Sequence, residues 1–569
     1  MNTNIIKKPP IGIEDFKELI ENFYFVDKSD FIASILDNYS KISLITRPRR
    51  FGKTLMLSML NYFFTIDNAE NNRALFSDLK ISQLDKNYMD HQGKSPVIFI
   101  SLKNITGDNF NDFIESISFD ISKLYRMFPY ILDSPIIDEY DKDYFKKLCA
   151  RKGTIKELER SLENLTHILS IYHQKKAVVL IDEYDSPIND AWDKKYYDKC
   201  IGFMKIFLGS CFKSNIDLDF AVITGITRVS KESIFSGVNN FSVFSVFDNA
   251  FNDVFGFTEE EVKHFLDYYN ICDKIGEVKE WYDGYRFCDK DIYNPFSIVN
   301  YIRNKYLYNS EPTGYWVNTS GNIIINYILQ STDIFLKEDI EKLMKHDSID
   351  KIINENLIYS EITTNINALF LILISSGYLK ILNKIRNGNR WLCTLTIPNK
   401  EIYEIFRDEI YERLSDKSKL NLNIILNSLI SGNEVAFNEA FSNFLILSVS
   451  FFDTAENLQE NFYHGLFLGF ISIIGEDYII ESNKESGYGR FDICCIPKNG
   501  NNPGIILEFK VSKSKESLDK DATQALSQIT DLKYATIFAK YSSKYPVNNI
   551  WQYGIAFYKR DFVIKKKDA

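Results

Sequence analysis

The chain has 569 residues, 45% of them hydrophobic and 25% charged, a composition typical of a folded protein with roughly two to four domains. Its formal net charge of −10 excludes a basic field over the whole protein, so nucleic-acid binding would need a local positive face. The 8 cysteines include no CxxC pair, which argues against a zinc site or a disulfide framework and favours a reducing cytoplasm.

Strands and helices alternate over the first 256 residues. Short apolar runs predict buried strands, and helical patterns lie before and between them. The predicted strands are Ile42–Thr46, Pro96–Ser101, Ala177–Ile181 and Phe220–Thr224, and the first helices are Lys28–Asp37 and Thr54–Phe64. This alternation predicts an α/β domain with a parallel sheet over residues 1–256.

A mainly helical region is predicted over residues 257–455. It opens with Thr258 and three glutamates, a capping-box pattern, and further helices are expected at 319–330 and 399–414. A short β patch is expected around 377–395, because Asn387-Gly388-Asn389 marks a turn.

The pattern changes again over residues 456–569, to a helix, then strands, then a helix near 522–529, which predicts a second α/β domain. The most apolar stretch, around 466–474, is far too short to cross a membrane, and no signal peptide is evident at the N-terminus. A cytoplasmic protein with no membrane partner is therefore expected.

A phosphate-binding loop is predicted between the first strand and the following helix, at Arg47-Pro48-Arg49-Arg50-Phe51-Gly52-Lys53-Thr54. Backbone N–H groups at the helix start would hold phosphates, Lys53 would reach the β- and γ-phosphates, and Thr54 would bind Mg²⁺. Arg47 replaces the first glycine of the usual pattern. The three arginines would add positive charge near the phosphates.

Two later strand ends supply the partners of such a loop. Asp182 ends a central strand and would hold Mg²⁺, and Glu183 would orient the attacking water. Thr224 ends the next strand, and Arg228 would reach the γ-phosphate or form a surface salt bridge. The predicted nucleotide-binding residues are Arg49, Arg50, Phe51, Gly52, Lys53, Thr54, Asp182 and Arg228. The alternative is a degenerate loop that binds no nucleotide.

Two acidic residues and a lysine lie on neighbouring strands near the C-terminus. Asp492 and Glu508 flank a turn at 498–504, so they should face each other on adjacent antiparallel strands. Lys510 shares a face with Glu508 because side chains alternate along a strand. The carboxylates would hold a divalent metal, and Lys510 would steady the attacking water or the charge on phosphorus. A surface salt-bridge ladder is the alternative.

Polar side chains on two nearby helices would extend this site. Gln524 and Gln528 share one helical face, and either would contact a phosphate or the metal-bound water. Glu460, on one face with His464, would complete the metal shell, or else belong to a solvated face. Lysines at 510, 513, 515, 520 and 565–567 favour a nucleic-acid surface, although such runs are usually just solvated.

Short motifs along nearly the whole chain carry a resemblance to a known family. They are Phe25-Val26-Asp27-Lys28, Arg47 to Thr54, Leu180 to Asp185, Thr224 to Arg228, Ser236 to Asn240, Trp281 to Tyr285, Asn294 to Ser297, Tyr463 to Gly465, Gly489 to Asp492, Glu508 to Lys510 and Gln528-Ile529. On these motifs the chain resembles bacterial proteins that join an AAA-ATPase-like N-terminal domain to a C-terminal PD-(D/E)XK nuclease domain. In that family an arginine in place of the first loop glycine looks normal.

The resemblance implies a nuclease signature and a nucleotide site. The signature would be Asp492, Glu508 and Lys510, with Gln528 nearby, and the nucleotide site would be Lys53, Thr54, Asp182 and Glu183. We therefore expect an ATP-binding, ATP-hydrolysing protein coupled to a nuclease that uses Mg²⁺ or Mn²⁺ to cleave DNA or RNA. A homo-oligomer and a role in defence or mobile-element biology are further expectations. The alternatives are a nucleotide-switched binding module with an inactive nuclease fold, and a plain ATPase whose C-terminal domain is structural.

Overall fold

The computed structural model describes residues 6–38, 40–84, 87–228, 235, 238, 240–316, 334–344, 346–355, 365–406, 424–448, 467, 471, 477–482, 484–542, 544–558 and 561–568. The chain divides into two compact units, Met1–Phe406 and Arg407–Ala569. The sequence-based boundaries at 256 and 455 divide it more finely and stay predictions.

A five-stranded parallel sheet forms the centre of the first unit and confirms the predicted fold class. Its strands are β1 (Ile42–Thr46), β2 (Val97–Ser101), β3 (Ala177–Asp182), β4 (Leu218–Gly225) and β5 (Phe241–Phe244), in the order β2-β3-β4-β1-β5. Every residue of β1 and β3 is buried, as expected for central strands covered on both faces. The carboxyl ends of β1, β3 and β4 therefore meet at one edge, where an α/β fold places its ligands.

Helices surround this sheet and build the rest of the first unit. They are Phe16–Asn22, Asp30–Asp37, Lys53–Phe64, Ala69–Arg73, Phe110–Tyr125, Glu139–Cys149, Ile155–Glu159, Ser161–His173, Ser186–Asp193, Tyr197–Phe212, Glu259–Tyr268, Ile275–Tyr282, Pro295–Tyr308, Ile334–Met344 and Ile366–Ser375. Residues 400–406 are also helical. The capping box of Thr258 and Glu261 starts one of these helices, as its sequence predicts.

Two small antiparallel sheets lie among the later helices. One is the hairpin β6 (Tyr285–Phe287) and β7 (Lys290–Ile292), and the other has the order β8 (Ile349–Ile353), β10 (Arg390–Thr396), β9 (Lys380–Asn387). The β9–β10 hairpin turns at Gly388, with φ of 61°, and confirms the predicted β patch. The helix predicted at 319–330 lies outside the described residues, and the one predicted at 399–414 is described only as far as 406.

The second unit contains a five-stranded mixed sheet in the order β11-β14-β15-β16-β17. Its strands are β11 (Tyr478–Ser482), β14 (Ile493–Pro497), β15 (Gly504–Val511), β16 (Ile550–Tyr558) and β17 (Asp561–Asp568), and a short ribbon is formed by β12 (Glu485–Ser486) and β13 (Gly489–Arg490). Only the β15–β16 pair of this sheet is parallel, and the helix Leu518–Asp531 lies between those two strands in the sequence.

Apolar side chains cover both faces of this second sheet. The helix Glu434–Ser448 contributes Phe437 and Phe441 to one face, and Ile529 and Tyr534 contribute to the other. Of the helices in the described ranges of both units, none has the length and apolar character that crossing a bilayer requires.

Candidate nucleotide site and candidate nuclease site

The loop between β1 and the helix Lys53–Phe64 has the backbone shape that phosphate binding needs. Gly52 is the N-cap residue of that helix and has φ of 81°, in the left-handed region that favours glycine. A Cβ at Gly52 would meet nothing within 4 Å, so the backbone angle alone explains the glycine. The first N–H groups of the helix follow directly and remain available to a bound anion.

Lys53 lies inside this loop, with only 4% of its surface exposed. Its Nζ donates to the carbonyl oxygens of Arg47 at 3.2 Å and Pro48 at 2.9 Å. Burial lowers the pKa of Lys53, and the charges of Glu183 and Asp182 oppose that shift. The amine is therefore held at the loop by carbonyl groups and by the acidic end of β3.

Asp182 joins the ends of three strands. Its Oδ2 accepts a hydrogen bond from Thr54 Oγ1 at 2.7 Å, and its Oδ1 accepts one from Thr224 Oγ1 at 2.6 Å. Ser101, at the end of β2, places its Oγ 3.5 Å from Oδ2. The carboxylate and the Thr54 hydroxyl offer the hard oxygen ligands that suit Mg²⁺ beside a phosphate chain, so these residues fit the predicted ion.

Glu183 follows Asp182 and turns the chain sharply at the carboxyl end of β3. Its φ is 48°, an uncommon angle for a residue with a side chain. Burial raises the pKa of its carboxyl group, whereas the charge of Lys53 lowers it. Glu183 lies in the wall of the adjoining cavity, where a water molecule would be within its reach.

This cavity has a volume of about 520 Å³ and contains two chemically different walls. The phosphate loop, Glu183 and Lys103 form its charged wall. The apolar wall includes Ile11, Tyr24, Phe25, Val26, Phe257, Phe265 and Phe296. Phosphates would fit against the first wall and a planar base against the second, which is the arrangement a nucleotide requires.

Arg47 does not add charge to this cavity, so that expectation was wrong. Its side chain is fully buried and donates to the carbonyl oxygens of Thr46 at 2.8 Å, Phe244 at 3.0 Å, Ala250 at 3.2 Å and Phe251 at 2.9 Å. Burial lowers its pKa to about 10. The arginine ties the base of the loop to the segment after β5 and serves as a structural crosslink.

The three residues after Pro48 do border the cavity. Arg49 and Arg50 both line it, and the Arg50 guanidinium lies 3.8 Å from the centre of the Phe296 ring. Phe51 is buried, and its ring packs edge-on against Tyr285 at 5.1 Å between centroids. The loop tip is therefore held by aromatic side chains of the Trp281–Tyr285 motif and of the helix Pro295–Tyr308.

Glu401 is a buried acid near Arg50 that the sequence did not single out. Its Oε1 accepts from the backbone N–H groups of Tyr315 at 2.7 Å and Trp316 at 2.9 Å, and its Oε2 accepts from Ser297 Oγ at 2.8 Å. Burial raises the pKa of Glu401 to about 7, although these hydrogen bonds and the charge of Arg50 lower it.

Arg228 lies elsewhere. It is exposed and borders a smaller pocket with Thr46 and Glu355, whereas the described wall of the large cavity does not include it. The loop that carries it is fixed by Asp185, whose Oδ2 accepts from the N–H of Thr227 at 2.9 Å. Contact of Arg228 with a γ-phosphate stays a prediction.

The second candidate site lies where β14 begins beside β15. Asp492 directly precedes β14, and its N–H lies 3.4 Å from Glu508 Oε2. Asp492 Oδ2 accepts a 2.8 Å hydrogen bond from the N–H of Phe509. Glu508 is only 4% exposed although it carries a carboxylate. The structure therefore brings the two predicted acids together at the edge of a buried strand.

The register of β15 explains why the Asp492 side chain can accept a hydrogen bond from the backbone of that strand. The N–H groups of Gly504 and Ser512 donate toward β16, so the alternate residues, including Phe509, point their N–H and C=O groups toward β14. β14 begins only at Ile493, and Asp492, the residue just before it, accepts the Phe509 N–H with its side chain. The Phe509 carbonyl leaves the same strand edge and would offer a further oxygen to a metal held by Asp492.

Gln528 contacts Glu508 from the helix Leu518–Asp531. Its Nε2 donates to Glu508 Oε1 and lies 3.4 Å from the hydroxyl of Tyr534. Gln524, one turn earlier, is exposed. Tyr534 was missed by sequence reasoning. Burial raises the pKa of Tyr534, and the charges of Glu508 and Asp492 add to the shift, so it stays a neutral phenol.

Lys510 lies two residues beyond Glu508 on β15 and, by strand alternation, on the same face. The described residues contain no group of three or more His, Cys, Asp or Glu side chains that could hold a metal ion. Both candidate sites consist instead of smaller oxygen sets, Asp182 with Thr54 and Asp492 with Glu508. Glu460 and His464 lie outside the described residues.

Several C-terminal lysines are engaged within the second unit. Lys515 pairs with Asp561 and Lys565 with Asp519, both at 2.8 Å, and Lys566 Nζ lies 3.7 Å from the centre of the Trp551 ring. These contacts fit the solvated-face interpretation of the lysine run, and a nucleic-acid surface there stays a prediction.

Comparison with known proteins identifies two domain families in the chain. The family model described as "Predicted AAA-ATPase" matches residues 10–235, and the model described as "PD-(D/E)XK nuclease superfamily" matches residues 458–567. A curated relative from Azotobacter chroococcum mcd 1, named "Uncharacterized protein in vnfD 5' region", is 25% identical over 544 residues, which are 93% of each chain. The chain thus combines an AAA-ATPase-like N-terminal domain with a C-terminal domain of the PD-(D/E)XK nuclease superfamily.

Proposed function

We propose that the protein binds and hydrolyses ATP at the cavity beside Lys53 and uses the Asp492–Glu508 pair to cleave phosphodiester bonds in DNA or RNA. The observation that carries the nuclease part is the convergence of Asp492, Glu508 and Gln528 from three separate elements. The observation that carries the ATPase part is the pair of threonine hydroxyl groups that donate hydrogen bonds to Asp182.

A divalent cation such as Mg²⁺ or Mn²⁺, held by Asp492 and Glu508, would supply Lewis acidity at the scissile phosphate. The residues of the chain do the remaining work. Glu508 is oriented by the Gln528 amide, and Asp492 is oriented by the Phe509 N–H. Lys510, on the face that Glu508 occupies, stabilises negative charge on phosphorus or the water that attacks it.

At the nucleotide site, Lys53 and the first N–H groups of its helix bind the phosphates. Thr54 and Asp182 would hold Mg²⁺, and Glu183 orients the water that attacks the terminal phosphate. Phe51 and the aromatic residues behind it keep the loop in shape for this task. Nucleotide binding would then gate the nuclease.

The nuclease proposal is tested by incubating the full chain with DNA and with RNA, each with and without Mg²⁺ and ATP. Wild type should cut at least one substrate, excess EDTA should stop the reaction, and Asp492→Asn should abolish it. Asp531→Asn, at an exposed position of the same unit, is the matched control and should cut like wild type. An Asp492→Asn protein that cuts normally contradicts the proposal.

The ATP part is tested by calorimetric titration. Lys53→Ala should lose ATP affinity, whereas Lys123→Ala, which changes a largely exposed lysine, should retain it. Equal affinity of both variants would remove the assignment of the loop. The alternative of a nucleotide-switched binding module predicts ATP binding and nucleic-acid binding with no cleavage by wild type, under every metal condition.

A further inference from the structure

Lys103 lies at the edge of the sheet where the nucleotide would bind. It follows β2, whose last residue, Ser101, is in register with Asp182 on β3. The intervening Leu102 donates its N–H to the Asp182 carbonyl at 2.9 Å. Lys103 also lines the same cavity as Lys53. The pairing of β2 with β3 therefore brings a second lysine to the phosphate end of the cavity.

The backbone of Lys103 is anchored while its amine remains within reach of solvent. Ser186 Oγ donates to the Lys103 carbonyl at 3.2 Å, which ties it to the start of the helix Ser186–Asp193. The Nζ pairs with Glu14 Oε1 at 2.7 Å, and the two side chains are 46% and 57% exposed. An ion pair exposed to this degree contributes little stability, so a more highly charged partner can replace Glu14 at little cost.

The acids that act on this amine include Glu183 and Asp182, the two residues assigned above to the phosphate end of the cavity. The hydrogen bond with Glu14 raises the pKa of Lys103 most, and the charges of Glu14, Glu183 and Asp182 act in the same direction against burial. Lys103 is therefore a cation close to Glu183, which is the residue proposed above to orient water at that phosphate. Lys28, another lysine of the cavity wall, is instead paired with Glu261 at 2.7 Å.

We propose that Lys103 is a second phosphate-binding lysine, which exchanges Glu14 for the terminal phosphate and so distinguishes nucleoside triphosphates from diphosphates. The inference rests on the proposed nucleotide site. A triphosphate carries more negative charge than the Glu14 carboxylate and offers several oxygen acceptors to the amine. A diphosphate bound at Lys53 would end before it reached Lys103, and the ion pair with Glu14 would persist.

The test is calorimetric titration of the full chain with a non-hydrolysable ATP analogue and with ADP, in the presence of Mg²⁺. Lys103→Met should weaken binding of the analogue by about tenfold to a hundredfold, the range for one charge-assisted hydrogen bond. It should weaken binding of ADP by less than about twofold. Lys103→Arg should restore most of the preference. Glu14→Gln should bind the analogue at least as tightly as wild type, because it removes the competitor.

Two outcomes overturn the inference while leaving the nucleotide site in place. The first is a Lys103→Met protein with the wild-type ratio of analogue to ADP affinity, when Lys53→Ala has lost both ligands. The second is a Glu14→Gln protein whose affinity for the analogue falls as much as that of Lys103→Met, which would show that the ion pair is a structural contact. A wild type that binds neither ligand, or a Lys53→Ala protein that binds both normally, overturns the nucleotide site and the inference with it.

Discussion

Replacing Arg47 by glycine would restore the usual phosphate-loop pattern, yet we expect it to damage the protein. The fully buried guanidinium donates to four carbonyl groups, two of them in buried contacts and two in part-buried ones, and it lies 5.1 Å from the centre of the Phe287 ring. Arg47 is not among the residues with positive φ, so glycine brings no conformational benefit there. It would also add about 0.5–1 kcal/mol of unfolded-state entropy cost.

The size of the loss follows from these contacts. Hydrogen bonds to a charged group contribute about 1.5–3 kcal/mol each, but desolvation of the guanidinium offsets much of their sum. Breaking a buried charged network costs about 3–5 kcal/mol in practice. We expect Arg47→Gly, and Arg47→Met of similar length, to lower the free energy of unfolding of the first unit by about 4 kcal/mol. That is about a thousandfold in the folding equilibrium.

Urea denaturation followed by tryptophan fluorescence measures this change, because four of the 5 tryptophans lie in the first unit: Trp192, Trp281, Trp316 and Trp391. Arg303→Met, at an exposed position of the helix Pro295–Tyr308, is the matched control and should change stability by less than about 0.5 kcal/mol. If Arg47→Gly unfolds within about 1 kcal/mol of wild type, or binds ATP more tightly at equal stability, the structural role of Arg47 is refuted.

Three further predictions concern a buried acid, a helix face and a tight turn. Because burial raises the pKa of Glu401 from 4.5 to about 7, the folded chain keeps a proton that the unfolded chain has released. The free energy of unfolding of the first unit should therefore fall by about 3 kcal/mol as the pH rises from 4.5 to about 7. Urea titrations at several pH values measure this fall, and it should be much smaller in Glu401→Gln. Gln528→Ala should slow cleavage by about tenfold to a hundredfold, because it removes the amide that orients the Glu508 carboxylate. Gln524→Ala should cleave within about twofold of the wild-type rate in the same assay. Gly487→Ala should lower the free energy of unfolding by about 3 kcal/mol, because the residue has φ of 63° and its new Cβ would collide with a backbone carbonyl. Gly388→Ala is the control: it has φ of 61° but open space around it, and should lower the free energy of unfolding by about 1 kcal/mol. Equal losses in the two variants would contradict the predicted collision.

Local sequence was sufficient for the elements whose signal is short-range. The mainly apolar runs of β1 and β3 predict buried strands because burial on both faces removes the regular alternation of apolar and polar residues that a half-exposed strand shows. Gly52, next to Lys53, fixes the loop and the helix start from its own backbone preference. The turn at 498–504 likewise set β14 antiparallel to β15, which was enough to predict Asp492 beside Glu508.

Other features depended on partners distant in sequence. β5 is only four residues long and half-buried, and it is a strand because it pairs with β1. Arg47 was predicted to add charge near the phosphates. Its guanidinium instead donates to carbonyl groups about two hundred residues further along the chain, and nothing in the sequence of the loop reveals those partners.

Residue types and local periodicity thus determined which chemistry this chain carries: a phosphate loop, an acidic strand end and two carboxylates on a hairpin. The tertiary structure decided which side chains meet. It brought Lys103 to the cavity that the phosphate loop also lines, through the pairing of β2 with β3, and Tyr534 beside Gln528 through the turn after a helix. Contacts of this kind follow from strand order and packing, which a local pattern does not encode.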